Sequence, residues 1–200
     1  MRKKYFIWVG IIGLLLCVTF GYAQNYLLVN IVQINPHIVV DLKYATTDNF
    51  LKEKVYNDKT CYVLEVLATK LDTAQKLLEK DGLGLKIFDG YRSVAVQQKM
   101  WAIMPDSRYV ANPNKGGSNH NRGVAVDLTL VDSEGREIEM PTPFDTFSER
   151  SHQYSMTPTP QQRVNRMLLR SVMKEVGLTT VSTEWWHYQL PNAQKYPMIK

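Results

Sequence analysis

The sequence predicts an α+β domain in which helices pack on a mostly antiparallel sheet. Three observations lead there. Two long stretches carry apolar residues at helical spacing, three shorter ones have the apolar or aromatic character of strands, and the chain of 200 residues is 44% hydrophobic, enough for one sizeable core. No internal repeat, low-complexity tract or linker divides the sequence.

The first segment stands apart from that domain. Arg2, Lys3 and Lys4 precede the apolar run "YFIWVGIIGLLLCVTF", and Gly21 and Ala23 set small residues before a cleavage point. This is the pattern of a secretory signal peptide over residues 1–23, leaving residues 24–200 as a single domain. A retained membrane anchor is the alternative, since about 20 apolar residues span a bilayer. A lipid anchor on Cys17 fits less well, because the bulky Leu16 precedes it. Cleavage lowers the formal charge from +5 to +2, so the basic character belongs mostly to the leader and argues against a nucleic-acid partner. Cys61 is then the only cysteine, which excludes an internal disulfide, and it reads as a small buried residue.

In "EVLATKLDTAQKLLEKDGLGL" the spacing of Leu67, Leu71, Ala74 and Leu78, with Gly82 as a stop, predicts a helix over about residues 63–80. "LKIFDGYRS" follows as a buried strand ending at Asp89 and Gly90, and Ser93 caps a second helix through Trp101. "VAVDLTLVD" alternates as a strand does and leads into a turn at Gly135. The Pro- and Thr-rich segment 141–160 reads as an irregular loop long enough to suggest function. Thr159, Pro160 and Gln162 form a capping-box helix start, with Val164, Leu168, Ser171 and Val172 expected on the buried face and Gly177 as the end. The closing "STEWWHYQL" reads as an aromatic-rich strand.

Chemistry concentrates in "SNHNRGVAVD", residues 118–127. On one straight strand His120 and Asp127 would lie on opposite faces, roughly 23 Å apart. A turn at Asn121, Arg122 and Gly123 brings His120 onto a loop above the strand that carries Asp127. An imidazole and a carboxylate so placed are two thirds of a catalytic zinc site, which uses three protein ligands and leaves a fourth position open.

Three other histidines compete for the third place. His37 has no histidine or carboxylate at ligand spacing and reads as a surface residue, and His152, in the long loop, as a structural or substrate-side one. His187 in "EWWH" remains, and Glu184 beside it offers a carboxylate to take a proton from the attacking water. A salt-bridged strand residue is the bland alternative for Glu184, although an ionisable group next to two tryptophans is costly to bury unpaired. Trp185 and Trp186 read as core and cleft-wall packing.

"SNHNRGVAVDLTL" and "EWWHY" together resemble the zinc D-alanyl-D-alanine dipeptidases associated with vancomycin resistance, whose pattern is S-x-H-x-x-G-x-A-x-D followed by E-x-x-H. "DLKYATTDNF" and "FDGYRS" resemble two further motifs of that family, in the same order. The resemblance implies a zinc site in a central cleft, with one ion held by His120, Asp127 and His187, Glu184 as general base and later acid, and Arg92 facing the transition state. It also implies that Asp145, in "FDTFSERSH", receives the free amino group of the dipeptide and that Ser118 contacts its backbone. Without it, Arg92 reads equally well as a surface arginine in a turn. Ser93 departs from the proline expected after the arginine, and the leader departs from the cytoplasmic location of resistance-type members. An exported relative, periplasmic and without stable membrane insertion once cleaved, would meet dipeptide at the cell wall. The competing readings are a carboxypeptidase or endopeptidase acting on peptidoglycan stem peptides, and a zinc-stabilised binding module without catalysis.

Overall fold

The computed structural model describes residues 26–199, so the leader predicted over residues 1–23 lies outside the described residues. Among the described residues no helix is long and apolar enough to cross a membrane. The chain enters through β1 (Leu28–Asn30), the one-turn helix α1 (Ile31–Ile34) and β2 (Val39–Val40). β3 (Tyr62–Leu64) returns to pair antiparallel with β1 and runs directly into α2 (Glu65–Leu78). Leu67, Leu71, Ala74 and Leu78 of α2 are buried, as their spacing predicts. Gly82, at φ 71°, then reverses the chain into β4 (Leu83–Asp89).

α3 (Val94–Ile103) starts on Ser93, whose hydroxyl accepts from the Val96 amide. β5 (Ala125–Asp132), α4 (Pro160–Glu175), β6 (Thr179–Thr180) and β7 (His187–Gln189) complete the domain. The main sheet has the order β2-β4-β5-β7-β6; only the β2–β4 pair is parallel, so the α+β expectation holds. β5 does not alternate between core and water, because seven of its eight residues are buried and both faces of the sheet are covered. Val126, Leu128 and Leu130 join Leu67, Leu71 and Leu169 in the main core.

Two expectations are corrected. The capping box at Thr159 and Gln162 forms, but Val164 is 57% exposed and Ser171 also faces solvent, while Gln162, Asn165, Arg166, Leu169, Val172 and Met173 are buried. Polar side chains occupy the inner face because the neighbouring loops supply their partners. Asn165 donates to the Glu139 carbonyl, and Arg166 donates to the carbonyls of His152 and Ser155. In "STEWWHYQL" only His187–Gln189 is strand, and residues 182–186 are irregular. The long loop takes over their hydrogen bonds. The Gln153 amide donates to the Ser182 carbonyl, Gln153 Nε2 to the Trp185 carbonyl, and Trp185 Nε1 to Thr142 Oγ1.

Candidate metal centre

One irregularity in β4 builds the floor of the site. Leu85 and Ile87 pair with Leu130 and Leu128 of β5 on the core face, but the register shifts between Ile87 and Asp89, so that Asp89 pairs with Asp127. Side chains alternate along a strand, so the extra residue at Phe88 turns Asp89 from the core face to the face that carries Asp127. Asp127 in turn pairs with His187 of β7. Asp89, Asp127 and His187 thus form a row across three adjacent strands.

His120 reaches this row from a single 3-10 turn, Asn119–Arg122, which Ser118 caps by accepting from the His120 amide. Gly123 closes the turn at φ 66°, a conformation that costs a residue with a Cβ. The result is the fold-back that the spacing of His120 and Asp127 requires. His120 Nε2 lies 3.3 Å from His187 Nδ1 and 3.4 Å from Asp127 Oδ2, and His187 Nδ1 lies 3.0 Å from Asp127 Oδ1. One ligand atom from each residue falls within 4.8 Å of the others, and all three residues are buried.

The outer ring nitrogens are also engaged. His120 Nδ1 is 2.8 Å from the Gly90 carbonyl, to which it donates, leaving Nε2 as a bare lone pair. A Cβ at Gly90 would stand 2.8 Å from both Cys61 Sγ and the Tyr62 carbonyl, so only glycine lets the backbone approach here. Burial acts to lower the His187 pKa, but the hydrogen bond and charge of Asp127 outweigh it and hold the ring at about 9. Burial alone would raise the Asp127 carboxyl, yet His120 and His187 pull it well below the ordinary carboxylate range. Two imidazoles and a carboxylate converging in a buried cleft have the donor set of a divalent metal ion site.

The seven residues singled out in the sequence, His120, Asp127, His187, Glu184, Arg92, Asp145 and Ser118, all line one cavity of about 420 Å³. Glu184 Oε2 is 3.8 Å from His187 Nδ1, and burial, against the opposing pull of His187, lifts its carboxyl to about 7. Arg92 is no surface residue. It is 8% exposed, donates through Nε and Nη2 to Asp89 Oδ2 and through Nη1 to Gln97 Oε1, and its guanidinium lies 5.1 Å above the Tyr44 ring. Asp145 is held at φ 57° and accepts from the Tyr44 hydroxyl at 2.9 Å. Burial raises its carboxyl well above the usual range, the Tyr44 hydrogen bond working against this and the Asp127 charge adding to it.

His37 and His152 stand outside this cavity. His37 is exposed and pairs with Glu79, and His152 follows a turn and accepts from Arg166 through its own backbone carbonyl. Cys61 is buried, and its thiol is raised by desolvation, so it is no nucleophile. Four contributors escaped the sequence reading: Tyr44, Gln97, Asn119 and Gln189. Tyr44 stood inside "DLKYATTDNF", but nothing local shows that its hydroxyl reaches Asp145.

The chain matches a family described as D-ala-D-ala dipeptidase over residues 24–199. It is 38% identical over 172 residues to a D-alanyl-D-alanine dipeptidase of Escherichia coli, covering 86% of this chain and 89% of that protein. It is 37% identical over 177 residues to a D-alanyl-D-alanine dipeptidase of Enterococcus faecium, covering 78% of this chain and 87% of that one. Among solved structures, VanYB in complex with D-alanine-D-alanine aligns over 79% of this chain and 87% of its own, at 17% identity and a TM-score of 0.43.

Proposed function

The chain belongs to the D-ala-D-ala dipeptidase family, and from that premise we propose that it hydrolyses D-alanyl-D-alanine to two molecules of D-alanine, with a zinc ion held by His120, Asp127 and His187. The observation that carries this reading is the convergence of those three ligand atoms within 4.8 Å in the same cavity as Glu184, Arg92 and Asp145. When bound, zinc supplies a nucleophile at neutral pH and polarises the scissile carbonyl.

The chain's own residues do the rest. Glu184 takes the proton of the attacking water and returns it to the leaving amine, a shuttle suited to a carboxyl with a pKa of about 7. Arg92 commits three of its five N–H groups to Asp89 and Gln97. Its remaining donors, fixed in place, stabilise the negative charge that develops on the carbonyl oxygen. Asp145, which accepts from the Tyr44 hydroxyl, pairs with the ammonium of the dipeptide, so the cavity is closed to chains extended at the amino end. Ser118 lines the same wall and accepts from the His120 amide, which leaves its hydroxyl hydrogen for the substrate backbone. The leader over residues 1–23 supports export, with the periplasm as the compartment.

The test is release of free D-alanine from D-alanyl-D-alanine by zinc-loaded protein, run beside the L,L dipeptide, a D,D-terminated tripeptide and a muropeptide. Turnover confined to the D,D dipeptide is expected; turnover of the tripeptide or muropeptide in its place would move the assignment to a stem-peptide hydrolase.

Asp145→Asn separates the amine-binding role from the chemistry. Its kcat/KM on the dipeptide is expected to fall by about ten- to a hundredfold, as when a charge-assisted hydrogen bond worth roughly 1.5–3 kcal/mol is lost. The N-acetylated dipeptide, which has no ammonium, should be an equally poor substrate for both proteins. An unchanged kcat/KM would remove Asp145 from substrate binding.

A further inference from the structure

The nitrogens that face a metal bind it only as bare lone pairs, so each histidine must keep its proton on the other ring nitrogen. His120 meets that demand through the Gly90 carbonyl, a backbone atom. His187 meets it through a side chain, its Nε2 lying 2.9 Å from Gln189 Oε1. His187 and Gln189 are two residues apart on β7 and therefore share a face of the strand. Gln189 Oε1 also accepts from Asn119 Nδ2 at 2.7 Å. Asn119 begins the turn that carries His120, so this amide pair joins the two histidine-bearing segments.

A glutamine amide can offer a neighbour either its oxygen or its NH₂ group. The Asn119 donor fits only the oxygen, and an oxygen facing His187 Nε2 requires a proton there, which leaves the lone pair on Nδ1, beside Asp127 and His120. We propose that Gln189, oriented by Asn119, is a positioning residue that selects the metal-binding tautomer of His187. This rests on the zinc reading above. A neutral amide holds the ring without adding negative charge, so the site's affinity for a cation lies below what a carboxylate in the same place would give.

Zinc affinity, measured by competition with a chromogenic chelator, tests this without reference to turnover. Gln189→Leu is expected to bind zinc about 10- to 100-fold more weakly than the native chain, the usual loss when such a partner is removed. Gln189→Glu should bind at native strength or tighter, because a carboxylate accepts the same proton. Asn119→Asp, which sets an acceptor against Gln189 Oε1, should turn the amide and weaken zinc more than Asn119→Ala does.

Native affinity in folded Gln189→Leu, or a Gln189→Glu chain as weak as Gln189→Leu, would overturn the positioning role. A native chain that binds no zinc, or whose binding survives His120→Ala, would overturn the metal centre itself and the role of Gln189 with it.

Discussion

Glu184→Gln is expected to lower kcat by about 10²- to 10⁴-fold, the range contributed by a positioned general acid and base, while zinc content stays native. The carboxylate lines the cavity but is not one of the three converging ligands, and its Oε2 stands 3.8 Å from His187 Nδ1. With zinc held by His120, Asp127 and His187 as proposed, Glu184 would stand within reach of a water at the open position. Glutamine keeps the volume and the hydrogen-bonding outline but cannot accept a proton. Steady-state kinetics paired with metal analysis checks this. Turnover within tenfold of native would mean that another group moves the proton, whereas a variant that has also lost its metal would make Glu184 part of the ligand set.

Asp89→Ala should cost about 3–5 kcal/mol of stability, a large part of the roughly 5–15 kcal/mol that holds a typical domain together. Asp89 is fully buried and accepts from Arg92, the Tyr56 hydroxyl and the Gly90 amide. Its loss leaves the buried Arg92 guanidinium without the carboxylate it is hydrogen-bonded to and the Tyr56 hydroxyl without its acceptor. With a urea dependence of about 1–3 kcal/mol per molar, the unfolding midpoint should fall by at least ~1 M. Asp89→Asn, which keeps an acceptor at the same place, should lose less stability yet still lower turnover, because Arg92 is no longer fixed by charge. An Asp89→Ala chain with a native urea midpoint would show that the pair carries no structural weight.

The convergence of His120, Asp127 and His187 was legible because residue type alone limits the choice. Four histidines are few, and the seven-position separation of His120 and Asp127 demands a turn that Gly123 can make. The helices of residues 65–78 and 160–175 were legible from spacing and caps, within two residues at either end. What stayed hidden depends on partners distant in sequence. Tyr44 meets Asp145 across 101 residues, and Asn119 meets Gln189 across 70, so no local pattern announces either pair. The inner face of α4 misled for a related reason. Apolar periodicity assumes that polar side chains seek water, whereas Gln162, Asn165 and Arg166 find their partners in Glu139 and the carbonyls of the long loop. The shift at Phe88 is likewise absent from composition: "LKIFD" reads as an ordinary strand, and only the pairing with β5 shows the change of face.

The row from Asp89 through Asp127 to His187 also sets an order of events during folding. Its members come from three strands, and His120 and His187 meet across 67 residues, a contact that forms only after a large loop has closed. An intermediate in which β4 and β5 have paired but β7 has not docked offers a metal ion two ligands instead of three. If His120, Asp127 and His187 hold a metal ion as proposed, its capture would be a late step that locks the C-terminal strand onto a sheet already assembled, and slower unfolding of the metal-loaded chain should begin with release of that strand.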